Sequence, residues 1–176
     1  MTTLPDYIDY HIKVLSVGLN PSITSVEQGY YFANPRNRFW RAFNHSNILE
    51  HTLSPDDNVH TRLLNDYSIG FTDVVKRPSK MANQLKSEDY RRDAPLLREK
   101  IEVYTPELVW FHGKLAISNF MKHAYGIKNN WQWGLNKVPQ ISSKIFVSPN
   151  PSPANARYSL QNLIEYYNDL PYQTLL

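Results

Sequence analysis

The stretch Val14-Leu15-Ser16-Val17-Gly18-Leu19-Asn20-Pro21-Ser22 decides how the chain is read. A short apolar run rich in β-branched residues stops abruptly at Gly-Leu-Asn-Pro, the pattern of a buried strand running into a turn. Near the other end, Ile145-Phe146-Val147-Ser148-Pro149-Asn150-Pro151-Ser152 has the same grammar. Both stretches put Asn-Pro-Ser at a strand exit. In a parallel α/β sheet, ligands bind in the crevice beyond the carboxyl ends of the strands. Two polar loops leaving by the same door can therefore form two walls of one site. Taken singly, each Asn-Pro also reads as plain turn punctuation, since Asn and Pro dominate turns for steric reasons.

Working outward, His11 to Leu19 is expected as a first, central strand, followed by a loop over Ile23 to Phe32. Asn34-Pro35 should open a helix with Phe39, Trp40 and Phe43 on its apolar face and Arg36, Arg38 and Arg41 to the side. Ser54-Pro55-Asp56-Asp57 should start the next helix, with Val59, Leu63, Leu64 and Tyr67 as its stripe. Gly70 to Val75 reads as extended, and Lys76 to Ser87 as a polar, basic loop. A helix is expected after Asp93 and Pro95, with Glu88, Asp89 and Asp93 as a solvated start. Further strands fall at Glu107 to Phe111 and Lys144 to Val147, with helices marked by Ile117, Phe120 and Met121 and by Leu160, Leu163 and Tyr167. Trp131 to Gly134 fits a loop or edge hairpin. Strands alternating with helices predict a three-layer α/β/α sandwich with a mainly parallel central sheet. Residues 1–176 are expected to form one domain, with 1–10 a loose lead-in.

Composition narrows the chemistry. The 176 residues contain no cysteine, which excludes disulfides, thiolate zinc sites and a Cys nucleophile. Six histidines lack metal-ligand spacing, so no metal is expected. There is no Gly-x-Gly-x-x-Gly or Walker-type loop, so no nucleotide cofactor is expected. No run is long enough to span a membrane, and the N-terminus lacks the pattern of a secretion signal. A net charge of +3 tolerates a polyanionic partner without demanding one. His112 stands at a strand exit and fits either a crevice wall or an ordinary core position. What remains is strand-exit amides and a Phe among tyrosines, with no strong acid or base in either loop. A neutral amide cannot abstract a proton, but it can orient a water and a substrate. That suits a reaction whose leaving group departs once stabilised, such as cleavage of an N-glycosidic bond to an acidic base.

At this point the residues carry a resemblance. Gly18-Leu19-Asn20-Pro21, Gly29-Tyr30-Tyr31-Phe32-Ala33-Asn34-Pro35, Asn37-Arg38-Phe39-Trp40, Val75-Lys76-Arg77-Pro78, Gly113-Lys114 and Asn150-Pro151-Ser152 with Arg157 resemble, in order, the mismatch-specific uracil/thymine-DNA glycosylase family of the uracil-DNA glycosylase superfamily. The resemblance covers nearly the whole chain and implies the same α/β/α sandwich. It implies that Asn20 is catalytic and positions a water for attack at C1′ of a flipped nucleotide. Gly18, Leu19, Pro21, Ser22, Phe32 and Asn150 would hold the base, Phe32 by stacking and Asn150 at the base edge. Ser152, Pro153, Ala154, Asn155, Ala156 and Arg157 would contact DNA, as the loop that fills the vacated space.

The implied partner is double-stranded DNA with a mismatched or damaged base, met by a monomer needing no cofactor. The implied setting is intracellular, cytoplasmic and nucleoid-associated in a bacterium. Two positions depart from the family pattern. Ser22 stands where Gly is usual, and Pro153-Ala154-Asn155-Ala156 makes a longer loop. At the pocket mouth, the Ser22 methylene should disfavour the C5 methyl of thymine, and its hydroxyl should be open to a base oxygen or the water. A non-catalytic binder of damaged DNA and a small-molecule α/β hydrolase remain alternative readings of the same residues.

Overall fold

A computed structural model describes residues 2–172. Five strands form one sheet: β1 (Val14–Gly18), β2 (Ile69–Asp73), β3 (Leu108–His112), β4 (Gly134–Asn136) and β5 (Lys144–Ser148), in the order β2-β1-β3-β5-β4. The first four in that order are parallel, and β4 is an antiparallel edge strand. Six helices cover it: α1 (Ile23–Gln28), α2 (Phe39–His45), α3 (Val59–Tyr67), α4 (Ser87–Tyr104), α5 (Lys114–Tyr125) and α6 (Leu160–Asn168). Side chains alternate across a strand, so Leu15, Val17, Val109, Phe111, Ile145 and Val147 pack under α4 and α5. Val14, Phe71, Leu108, Trp110 and Phe146 pack on the other face with residues of α2, α3 and α6. The expected three-layer sandwich with a mainly parallel sheet is the observed one.

Local hydrogen bonding explains where element boundaries differ from those expected. The Ile23 to Phe32 segment contains α1, because the Ser22 hydroxyl accepts from Ser25 N–H (3.0 Å) and Gly29 closes the helix at φ 80°. The helix expected from Asn34-Pro35 begins only at Phe39. Asn34 Oδ1 and Asn37 Oδ1 accept from Arg36 and Phe39 N–H (2.9 Å each) and turn the chain locally. In the same way Asp56 Oδ1 accepts from Asn58 N–H (3.0 Å), and α3 starts at Val59 rather than near Ser54. Helix α4 starts at Ser87, before Asp93, and runs through Pro95. A mid-helix proline costs about 3 kcal/mol, but burial of Leu97 and Ile101 on the sheet returns roughly 3–6 kcal/mol. Asp89 and Asp93 are buried rather than solvated. Asp89 binds Arg77 (2.7 Å), and Asp93 binds Arg92 and accepts from Lys76 N–H.

Residues 4–7 of the lead-in are packed against the sheet rather than loose. Tyr7 and Phe71 exchange backbone hydrogen bonds of 2.9 and 3.0 Å, which extends the sheet beyond β2. Gly70 permits this, since a Cβ there would lie 2.2 Å from the Tyr7 carbonyl oxygen. Leu4 is 2% exposed, and Asp6 accepts from Thr72, Lys76 and Lys100. A short polar-looking leader is thus held by one apolar anchor, one strand bridge and an ion cluster.

Two histidines lie inside the aromatic face. His60 Nε2 accepts from Tyr31 N–H (2.8 Å), and His112 Nε2 shares a hydrogen bond with Ser16 Oγ (2.8 Å). Burial pushes both from 6.5 down to about 3, so both rings are neutral near pH 7.

Two outcomes follow for stability. Leu4→Ala should lower the urea-unfolding free energy by roughly 2–5 kcal/mol; a loss near zero would return the leader to a peripheral role. A histidine with a lowered folded pKa contributes stability above its unfolded value that is lost as pH falls towards the folded one. His60→Gln keeps an acceptor for Tyr31 N–H but does not titrate. The stability gap between wild type and His60→Gln should therefore narrow by about 2 kcal/mol between pH 7 and pH 5. A gap independent of pH would show that His60 does not titrate with folding.

Candidate active site

The carboxyl ends of β1, β2, β3 and β5 open into a cleft of about 750 Å³. Its floor is set by register. Gly18 pairs with Asp73, and His112 follows Phe111, the partner of Val17, so Asp73 and His112 flank the glycine. His112 in turn pairs with Ser148. A Cβ at position 18 would lie 2.5 Å from Asp73 Oδ1. The absent side chain makes room for the Asp73 carboxyl.

One wall is the β1 exit. The Asn20 amide nitrogen donates to the Arg77 carbonyl (2.9 Å) and to Ser79 Oγ (2.8 Å). Ser79 Oγ donates onward to the Met81 carbonyl (2.9 Å), so it can only accept from Asn20. These bonds fix which end of the amide is nitrogen. Among the described residues no donor meets Asn20 Oδ1, which leaves one fixed acceptor at a half-buried position lining the cleft. The carbonyl of Arg77 is itself steadied from behind, because its guanidinium makes two bonds to the Asp89 carboxylate (2.9 and 2.7 Å).

The second wall is the turn after α1. Phe32 sits at φ 59°, a left-handed conformation that a bulky residue adopts only when its surroundings demand it. His60 holds the Tyr31 N–H, Trp40 Nε1 donates to the Tyr31 carbonyl (2.9 Å), and Ala33 N–H donates to Ser25 Oγ (3.1 Å). The Phe32 ring stacks on Phe39 (4.2 Å, 20°) and meets His112 edge-on (5.1 Å). One ring face is thus covered, and half-buried Phe32 also lines the cleft.

The third wall is the β5 exit. Asn150 Oδ1 accepts from Ser152 N–H (2.9 Å), while its amide nitrogen meets no acceptor among the described residues and is available to a ligand. The loop after it hangs on Arg38. That guanidinium donates to the carbonyls of Ser152 (3.2 Å), Asn155 (2.9 Å) and Tyr158, and Arg38 N–H donates to the Pro151 carbonyl (3.1 Å).

The structure brings most of the expected residues together. Gly18, Leu19, Asn20, Pro21, Ser22, Phe32 and Asn150 all line the cleft, with Ser152, Pro153, Ala154 and Asn155 at its rim. Ala156 and Arg157 lie outside it, exposed, with the Arg157 guanidinium 5.9 Å from the Tyr158 ring centre. The Ser22 hydroxyl is not open to a ligand. It donates to Ser25 Oγ (2.9 Å) while capping α1. Arg38, His60, Asp73 and Ser79 carry more of the site than the sequence suggested. Asp73 is 4% exposed, lines the cleft, and has an Oδ2 atom without a partner among the described residues. Burial raises its pKa from 3.8 to about 7, against the pull of Lys76. A lone acid ending a short apolar strand was the only sequence signal for it. No group of three or more His, Cys, Asp or Glu is placed to hold a metal ion among the described residues.

The arrangement can hold a flat polar ring against Phe32, offer it a donor from Asn150, and present a fixed acceptor from Asn20. The family model of the uracil DNA glycosylase superfamily matches residues 5–171. Among solved structures, the solution NMR structure of "a putative Uracil DNA glycosylase from Methanosarcina acetivorans" has a TM-score of 0.61 with this chain. It is 24% identical, over 94% of this chain and 92% of that one. That likeness carries the fold. The match along nearly the full sequence carries the family: the chain belongs to the uracil DNA glycosylase superfamily, and so to the DNA glycosylases, hydrolases of N-glycosidic bonds.

Proposed function

We propose that residues 1–176 act as one monomeric domain that removes uracil first, and thymine or related damaged bases second, from G·U and G·T mismatches, leaving an abasic site. The base must leave the stack before it can be hydrolysed. Extrusion costs a few kcal/mol, and least where pairing is already poor, which favours mismatches. In this reading the extruded base stacks on Phe32, worth about 1–3 kcal/mol, and Asn150 donates to a carbonyl on its edge. Asn20 Oδ1 accepts a hydrogen bond from the attacking water and aims its oxygen at C1′, and the water's proton passes to solvent as the new C1′–O bond forms. The C1′–N bond breaks, the base leaves with the electron pair, and donors at its carbonyl oxygens spread the charge. The Ser152 to Arg157 loop, held from behind by Arg38, fills the vacated space as wedge residues do elsewhere. The setting would be intracellular DNA, within the nucleoid in a bacterium.

The observation that carries this reading is the Asn20 amide. Its nitrogen is spent on Arg77 and Ser79, so its oxygen is the only end left to meet a water. A residue that merely closed a turn would have no need of a fixed free acceptor across a cleft from an aromatic ring.

The test is base release from duplexes carrying G·U, G·T, A·U or G·C, read as alkali-sensitive sites in single-turnover assays. Release should survive EDTA and leave the strand intact before alkali. Asn20→Ala should retain DNA binding but lose at least 100-fold in rate, on the order expected for lost water positioning. Near wild-type turnover would remove Asn20 from the reaction. A gel shift with no release from any duplex would instead identify a binder of damaged DNA.

In this reading Arg157, outside the cleft and 5.9 Å from the Tyr158 ring centre, meets phosphate rather than a base. Arg157→Ala should weaken binding to abasic product and lower the salt slope by about 1. An unchanged slope with a reduced preference for G·U over A·U would place Arg157 on the partner guanine.

A further inference from the structure

One large apolar side chain on the cleft rim stands in water, outside the stacking and the water positioning described above. Met81 is 59% exposed and lines the cleft. No other large apolar side chain that is exposed among the described residues lines it. Single exposed apolar residues are ordinary on surfaces, but this one is presented on a fixed turn. Its N–H and that of Lys80 donate to Gln84 Oε1 (3.2 and 3.0 Å). Its carbonyl accepts from Ser79 Oγ (2.9 Å) and from Gln84 N–H (3.1 Å). The Arg77 guanidinium, bonded to Asp89, also donates to the Gln84 carbonyl (2.7 Å).

Sheet order places this turn. Met81 follows β2, the Ser152 to Arg157 loop follows β5, and β1 and β3 lie between those strands. The two loops therefore stand at opposite ends of the cleft that both line.

We propose that Met81 is a second wedge: it lies against the base pair flanking the extruded nucleotide, on the side away from the Ser152 to Arg157 loop, and keeps that step open. This rests on the glycosylase reading above, which lays a duplex over the cleft, and it adds a contact to the neighbouring pair rather than to the extruded base. Extruding a nucleotide strips stacking from both of its neighbours. The Ser152 to Arg157 loop can cover one of the faces left bare, and Met81 covers the other. An unbranched, polarizable thioether adapts to any base face, and apolar wedges open base steps in this way elsewhere. Because the turn is already braced, little backbone freedom is lost when DNA seats on it. Lys80, exposed on the same rim, supplies a cation for the adjoining phosphate.

The test compares uracil in a G·U duplex with the same uracil in a single strand, where no flanking pair has to be opened. Met81→Ala should lose roughly 10–100-fold in single-turnover release from the duplex, the equivalent of one methionine side chain left unburied. Its rate on the single strand should change little. Met81→Gln keeps the length without the apolar surface and should lose as much on the duplex. Met81→Leu restores an apolar group and should recover most of the rate. Equal losses on duplex and single strand would show that Met81 acts through the turn that holds Asn20, and would overturn the wedge. An unchanged duplex rate in Met81→Ala would overturn it as well.

A fluorescent adenine analogue that is quenched by stacking, placed on either side of the uracil, reads the opened step without any base release. Wild type should brighten both positions on binding, and Met81→Ala should lose the rise on one side only. A rise on both sides in Met81→Ala overturns the proposal while leaving the glycosylase reading standing. No base release by wild type from either substrate overturns the glycosylase reading, and the fluorescence of the two flanks then still decides the wedge.

Discussion

The hydrogen-bond register of β1 against its two neighbours is the constraint on which the rest of the molecule depends. Side chains alternate with period two, so a slip of one residue would exchange the two faces of every strand. In the observed register Leu15 and Val17 face α4 and α5, while Ser16 and Gly18 face the aromatic layer. The smallest residue then falls between a carboxyl and an imidazole, where a single added carbon would collide with Asp73. The same register brings three strand exits to one level, so that loops distant in sequence become walls of one cleft. Apolar packing holds the register, and the cavity is its by-product at the open end.

Above that floor, the walls are ordered by short polar bonds rather than by apolar burial. Ser22 and Ser25 stitch α1 to the turn carrying Phe32, and His60 and Trp40 grip the two sides of the Tyr31 peptide. Arg38 does the same for the loop after Asn150, gathering carbonyls that would otherwise need water. Each bond contributes about 1 kcal/mol net. Their larger effect is to remove alternatives: the loops enter the reaction with conformational entropy already spent. The left-handed Phe32 shows this ordering most plainly, since an unsupported chain would leave that conformation.

Much of this was legible in the sequence, and the remainder has physical reasons for being hidden. Buried parallel strands announce themselves as short apolar runs, so the sheet and its layers could be read from Val14 to Val17, Leu108 to Phe111 and Ile145 to Val147. The residues at the strand exits could be read because Asn-Pro-Ser recurred. Helix starts misled where Asn34, Asn37 and Asp56 bonded the backbone locally, a competition that residue preference alone does not resolve. Helix α1 was missed because a six-residue helix has too few apolar positions to show a period. Asp73, Ser79 and Arg38 were invisible for a different reason. Their importance comes from partners 59 and 114 residues distant for Ser79 and Arg38, and for Asp73 from an atom with no partner among the described residues, and neither fact leaves a local pattern.

Asn20 is held by a carbonyl whose own residue is clamped to Asp89, on a helix of the opposite layer from the aromatic face. The key amide is therefore oriented by an ion pair that lies behind the cleft. On the proposed role of Asn20, loss-of-activity positions in a survey of substitutions would not shade off with distance from the cleft. They would reappear at the start of α4, among acidic residues that read as ordinary surface, while closer exposed positions such as Ala154 tolerate change. On that role, the reaction depends on a charge pair that an inventory of groups touching DNA would omit.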